Sequence, residues 1–369
     1  MTDRDQPTTY LRYTPDVEVE QPHEAEDIQA LRETFAQIRT MAFDKLRHAV
    51  RDAHAKSHGV LAGTLRIHDD LPTELRQGLF AQTGEHPVII RFSTAPGDIV
   101  SDGIGSAFGM AIKVLDVDGE KVLPGKQQAR TQDFLLVNHP TISSGDVHTY
   151  RRDQAVLLQT SKAPEGMQLA ATTALRAGAD LLRKVGVDKT GGPAGQAKPH
   201  VNLLGETYWS QGAIRYGDHV AKVSAAPVAE NLTALTGEHV SVREPSAYRD
   251  LTSAFFAGNA GVWELQVQLA TELETTPVED ASVAWPEDVT PYRTVATLTV
   301  DPQDSFSPAR RVYADDELSF NPWHCLVEHQ PLGSIQRVRR PVYDDSVDFR
   351  ATTNAATVEE PGNIDELPA

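Results

Sequence analysis

Residues 59–94 read GVLAGTLRIHDDLPTELRQGLFAQTGEHPVIIRFST. Two short apolar runs, residues 60–67 and 88–92, flank a stretch rich in turn formers: Asp69, Asp70, Pro72, Gly78 and Gly84. That texture is of strands separated by a turn-bearing connection. It recurs at residues 107–115, 134–137, 262–269 and 294–300. Six or more such strands predict an antiparallel barrel or sandwich. The flanks differ. From Glu24 to about Ala53 the apolar positions Ile28, Leu31, Phe35, Ile38, Met41, Leu46 and Val50 repeat at helical spacing, and helical texture returns from Phe320 to about Phe349. Residues 145–190 read as a helical insertion and 186–200 as a Gly/Pro/Lys-rich loop. Residues 1–25 are expected to form a polar arm and 351–369 an acidic, disordered tail. The expectation is thus an α+β protein with one domain over 26–350.

Composition narrows the function. The chain has 369 residues, 40% hydrophobic and 23% charged, with a formal net charge of −18. Nucleic acid and anionic membrane surfaces call for an excess of Lys and Arg, so neither is expected as a partner. The single cysteine, Cys325, allows no intrachain disulfide. The first residues hold neither a basic n-region nor an apolar h-region, so no signal peptide is expected. No apolar run approaches the length of a membrane span. A cytoplasmic protein is the expectation.

No Gly-rich phosphate loop, His-Glu-x-x-His or Gly-x-Ser-x-Gly motif occurs. Thirteen histidines invite a zinc reading. His54 and His58, four apart, straddle the start of a strand-like run, which argues against a shared ligating face. Two arginine clusters carry more. One is Arg51-Asp52-Ala53-His54-Ala55-Lys56. The other is Arg339-Arg340-Pro341-Val342-Tyr343, with Arg350 seven residues further on. On a helix, Arg339, Tyr343 and Arg350 share one face, although Pro341 would break or restart that helix. A guanidinium beside a phenol favours the phenolate, and tyrosine is among the few proximal ligands of haem iron.

With these residues in view, the chain resembles the catalase superfamily, most closely its short catalase-related haem peroxidases. Arg-x-x-His-Ala-Lys at 51–56 resembles the family's distal-histidine motif. Val88-Ile89-Ile90-Arg91-Phe92-Ser93-Thr94 resembles the strand with a propionate-binding arginine and a serine behind the histidine. Residues 131–137, Thr131-Gln132-Asp133-Phe134-Leu135-Leu136-Val137, fall where the next barrel strand is expected. Residues 263–268, 284–286 and 292–300 are similar to the far barrel wall. The last match is Arg339-x-x-x-Tyr343 with Arg350. The matches run in family order over about residues 30–350. One departure bears on chemistry: no asparagine immediately precedes the Phe134 strand; the chain is also expected to lack the long wrapping extensions of full-size catalases.

The resemblance implies a closed antiparallel β-barrel of about eight strands with surrounding helices. It implies haem b, with Tyr343 on the iron and Arg51, Arg91, Arg339 and Arg350 as cofactor-binding residues. His54 would move the peroxide proton, Ser93 would hydrogen-bond it, and Thr131, or Gln132, would replace the missing amide. The tryptophans Trp209, Trp263, Trp285 and Trp323 are read as packing residues. The implied partners are a small peroxide and an organic electron donor; homo-oligomerisation stays open. The first reading is a peroxidase taking organic hydroperoxides and hydrogen peroxide. Alternatives are a small true catalase, a fatty-acid hydroperoxide isomerase, and a non-enzymatic haem- or lipid-binding barrel.

Overall fold

The computed structural model describes residues 9–184 and 200–369. Nine strands share one sheet: β1 Ser57–Ile67, β2 Gly84–Thr94, β3 Phe108–Val114, β4 Gln132–Val137, β5 Tyr208–Trp209, β6 Ile214–Tyr216, β7 His219–Pro227, β8 Gly261–Leu269 and β9 Arg293–Val300. Their order is β5-β4-β3-β2-β1-β9-β8-β7-β6, and neighbours are antiparallel. The two residues of β5 pair with β4 at Val137 and with β7 at Ala225 and Ser224. That contact closes eight strands into a barrel and leaves β6 on the outer edge of β7. The expected closed barrel is therefore present.

The six anticipated runs lie on β1–β4, β8 and β9. The other three strands escaped for physical reasons. β5 and β6 are too short to alternate, and β7 places Lys222 and Ser224 on its outer face, where both are buried. Lys222 is tolerated there because its ammonium lies 4.9 Å from the centre of the Trp285 ring.

The lumen is solid. Leu61, Leu65, Ile90, Phe92, Met110, Ile112, Leu136, Val223, Leu265 and Leu298 belong to one inward-facing cluster. Each such side chain contributes about 1.5–3 kcal/mol by leaving water. On β1–β3 the other face is covered as well: Val60, Ile89, Arg91, Ser93 and Lys113 are all buried. β8 instead alternates buried and half-buried positions over most of its length. The apolar part of the outer cover on β1–β3 comes from Tyr313, Ala314, Leu318, Phe320, Ile364 and Leu367.

Seven α-helices are described: α1 Glu24–Leu46, α2 Val147–Ser161, α3 Glu165–Lys184, α4 Glu230–Thr233, α5 Ala247–Phe256, α6 Pro308–Val312 and α7 Ser334–Asn354. Leu31 and Phe35 of α1, Val147 of α2, and Val338 and Val342 of α7 form one apolar seam. None of the helices among the described residues is long and apolar enough to cross a membrane.

Three expectations need correction. α1 does not run to Ala53: Arg47 turns left-handed (φ 55°) and its N–H closes on Phe43 O. Beyond it, Ala49 N–H goes to the Asn354 side chain and His54 N–H to Ala95 O, so tertiary partners replace helical ones. Residues 320–333 are largely irregular, and α7 begins only at Ser334, after Pro331 and Gly333 (φ 90°). It then continues through Pro341 to Asn354. Last, the tail expected to be disordered over 351–369 is ordered: residues 351–354 close α7, and the rest packs on the barrel. Ile364 and Leu367 pack on Val60, Ile89 and Leu318, and the Glu360 carboxylate is buried against Lys113. The loop expected at 186–200 lies, but for its last residue, outside the described residues.

Candidate active site

The chain between α1 and β1 builds the first half of the site. His54 sits at φ 53°, a left-handed conformation uncommon for a residue with a Cβ and concentrated at functional sites. The turn is held from both sides. His54 and Ala55 donate their N–H groups to Ala95 O and Pro96 O at 2.9 and 3.0 Å. Their carbonyls accept Arg91 Nη2 at 2.7 and 3.1 Å, while Arg91 Nε donates to Ser57 Oγ at 2.7 Å. Asp52, two residues earlier, is clamped to Arg39 of α1 at 2.6 Å.

The imidazole is oriented by Ser93, whose Oγ lies 3.0 Å from Nδ1. Behind both stands Gly109, paired with Ser93 across β2 and β3. A Cβ there would fall 2.6 Å from His54 Nδ1 and 2.9 Å from Ser93 Oγ, so only glycine admits the ring. His54 Nε2 makes no hydrogen bond among the described residues and is not sealed from solvent. Burial, then the positive charges of Arg91 and Arg339, push the His54 pKa down to about 3. The ring is therefore a neutral base at physiological pH.

α7 supplies the second half. Arg339 Nη2 donates to the Tyr343 hydroxyl at 3.0 Å, its guanidinium carbon 5.3 Å from the ring centre, so one helix face does carry both. Arg339 is fixed in turn by Gln336 Oε1 at 3.0 Å. The helix is pinned: Arg337 meets Glu18, Glu24 and Glu279, and Arg32 of α1 forks onto Asp345 at 2.8 Å through two nitrogens. Such bidentate pairs fix geometry as well as contributing energy.

Three further arginines gather beside these halves. Arg51 Nη2 donates to Ala314 O (2.5 Å) and Leu318 O (2.7 Å), and its Nη1 lies 3.4 Å from Asp315. Arg350 donates to Asp315 O, and its buried Nε has no partner among the described residues. Arg91 completes the set. Burial first, then Arg51, lowers the proton affinity of both Arg91 and Arg350, the latter to about 9. Among the described residues only Asp315 offers any of the three a carboxylate within ion-pair distance; Asp316 pairs with His48 instead. Asp315 is shared with Arg311 at 3.8 Å, so the three guanidiniums, two of them fully buried, outnumber the carboxylates that meet them directly. The segment that answers them, Tyr313–Glu317, is a π-helical turn, a form common at functional sites.

Seven of the eight sequence-derived site residues thus converge outside the β1–β3 wall: Arg51, His54, Arg91, Ser93, Arg339, Tyr343 and Arg350. Thr131 does not. β4 is antiparallel to β3, so Val137 lies opposite Gly109 while Gln132 lies opposite Val114. Six residues from Val137, Thr131 lies roughly 20 Å from the histidine end of the sheet. There its hydroxyl donates to Glu360 at 2.7 Å, and Gln132 is spent on Asp133 O and Leu326 N–H.

Sequence reasoning missed Gly109, Asp315, Tyr150 and Asn138. Tyr150 of α2 packs in the α1–α7 seam. Burial raises its pKa above the usual phenol range, and it lies close enough to Arg339 and Tyr343 to sense both. Asn138, just after β4, is held at the Phe108 end of β3, where its Oδ1 accepts Phe108 N–H and its Nδ2 donates to Glu206. A polar residue directly after an apolar strand was the available signal.

No family model and no curated protein matches the chain. Solved structures do. A fungal catalase aligns with a TM-score of 0.58 and 17% identity, covering 99% of this chain and 74% of that one. A bacterial catalase gives 0.57 and 17%, over 88% and 62%. Catalase A from Saccharomyces cerevisiae gives 0.56 and 17%, over 98% and 75%. The fold is catalase-like.

Proposed function

We propose that this chain binds haem b through Tyr343 and reduces hydrogen peroxide and organic hydroperoxides with an organic donor. The observation that carries the reading is the cluster of Arg51, Arg91 and Arg350, with Asp315 as the one carboxylate at ion-pair distance among the described residues, beside an Arg-partnered tyrosine and an oriented neutral histidine. Haem b suits that donor set: its two propionates would meet Arg51, Arg91 and Arg350, including the Arg350 Nε that has no partner among the described residues. The Tyr343 phenol, already facing Arg339, would be the iron ligand. When bound, haem supplies the redox-active iron at which the peroxide O–O bond is cleaved.

The remaining chemistry belongs to side chains. With Nδ1–H donating to Ser93 Oγ, the Nε2 lone pair of His54 is free to take a proton from a hydroperoxide. The same nitrogen then returns it to the departing oxygen, so the ring ends as it began. Arg339 donates to the Tyr343 oxygen at 3.0 Å, and the pinned α7 keeps that oxygen in place. Asn138 and Gln132, the amides after and at the start of β4, are both committed to other partners. This favours the peroxidase over the catalase reading, because neither is left to order a second hydrogen peroxide.

Two assays on one haem-loaded preparation test the choice. Oxidation of a phenolic donor with an alkyl hydroperoxide should exceed oxygen release from hydrogen peroxide. Vigorous oxygen release with negligible donor oxidation would make the protein a small catalase.

A second expectation concerns Gly109. Gly109→Ala should force His54 from Ser93 and lower peroxide turnover by up to about a hundredfold, the scale of a catalytic group misplaced by an ångström. Steady-state rates beside a thermal melt separate this from unfolding. An unchanged rate would show that the imidazole does not need its present seat.

A further inference from the structure

α7 ends at Asn354, and Ala355 (φ 51°) turns the chain back across the outer face of the barrel. The returning segment enters a sealed ionic cluster. Glu360 pairs with Lys113 and lies 2.8 Å from His324 Nδ1. It also accepts the Thr131 hydroxyl at 2.7 Å and the Ser319 hydroxyl at 3.1 Å. Lys113 also meets Asp133 at 2.7 Å, whose other oxygen accepts Asn321 N–H at 2.9 Å. Two carboxylates thus face two cations with almost no exposure. Burial opposes it, but Lys113 and His324 hold the Glu360 carboxyl well below the usual range. Further on, Ile364 and Leu367 pack on Ala314, Leu318 and Phe320, and the Pro368 carbonyl accepts Arg310 Nε at 2.6 Å.

The chain from Tyr313 to Asn321 therefore lies between two layers. On one side the C-terminal segment fastens it at Ser319 and at the apolar contacts. On the other, its carbonyls at Ala314, Asp315 and Leu318 grip Arg51 and Arg350. We propose that residues 355–369 are a strap that holds this intermediate segment in register with the arginine cluster, with Glu360 as its pin and a positioning residue for the cofactor site. The inference rests on the haem reading for its purpose but not for its mechanics. Removing one partner of a sealed ionic cluster leaves an uncompensated buried charge, so the loss should be felt first where the strap is attached.

Glu360→Gln keeps the shape and removes the charge. Amide hydrogen exchange on haem-free protein should quicken at least about tenfold in residues 313–321 and hold its rate in β1, β2, β8 and β9. Haem transfer to apomyoglobin should quicken about tenfold, as for supporting residues around metal sites. Wild-type exchange at 313–321 in the variant would overturn the strap, as would an increase spread evenly over the barrel, which would make Glu360 a general stabiliser. Quickened exchange with an unchanged haem transfer rate would overturn the positioning role. If the wild-type protein takes up no haem, the functional reading falls, while the exchange result still decides the strap.

Discussion

Replacing His54 with alanine should leave haem uptake intact and slow peroxide consumption by at least about a hundredfold, the lower range for lost acid–base catalysis. The expectation follows from position. The ring is oriented at Nδ1 by Ser93, backed by Gly109, and has no partner at Nε2 among the described residues. Its proton affinity gives a second handle. With the pKa pushed down to about 3, the base form persists at every pH above that value. The rate of peroxide consumption should therefore stay level from pH 8 to pH 5 instead of falling through 6.5, the ordinary histidine value. Stopped-flow mixing across that range measures both. A wild-type rate in His54→Ala would remove the residue from the mechanism, and a midpoint near 6.5 would mean that the imidazole is solvated.

Tyr343→Phe should abolish the phenolate-to-iron charge-transfer absorption and weaken haem retention. The change keeps the ring and its packing and deletes only the oxygen that Arg339 faces at 3.0 Å. Loss of a residue that merely supports a metal ligand costs about 10–100-fold in affinity, and loss of the ligand itself should exceed that. Absorption spectra and haem transfer rates, compared at equal loading, give the answer. An unchanged spectrum would assign the iron to another side chain. Arg339→Ala serves as the companion: it keeps the phenol and removes only the group that orients it, so its effect should be smaller.

Much of this arrangement was legible beforehand, for reasons that differ by residue. β1 to β4 could be read because their apolar runs end at Asp, Gly and Pro, and because arginine and serine interrupt β2 at alternate positions. The Arg339–Tyr343 pairing could be read because helical spacing survives Pro341; α7 is anchored by Arg337 and by Arg32, and the lost backbone hydrogen bond does not bend it out of use. Thr131 failed because its partner is 229 residues away, on a segment whose composition resembles disorder. Two apolar side chains and one buried carboxylate were enough to fold that segment down. Asp315 was equally hidden, 264 residues from Arg51. Gly109 has no side chain to notice; its importance lies in the room that it leaves.

The doubly covered wall also bears on how such a chain could diverge. On β2, Phe92 fills the lumen while its neighbours Arg91 and Ser93 serve the opposite face, and on β3 Met110 stands beside Gly109 in the same way. A replacement in the lumen at either place moves backbone that also carries His54's seat, so structural and chemical selection act on the same few atoms. β8 answers to packing on one face only over most of its length. Substitutions should therefore accumulate unevenly around the barrel, fast on the far staves and slowly on these, and a lineage that lost the chemistry would be recognised by drift appearing first at Gly109.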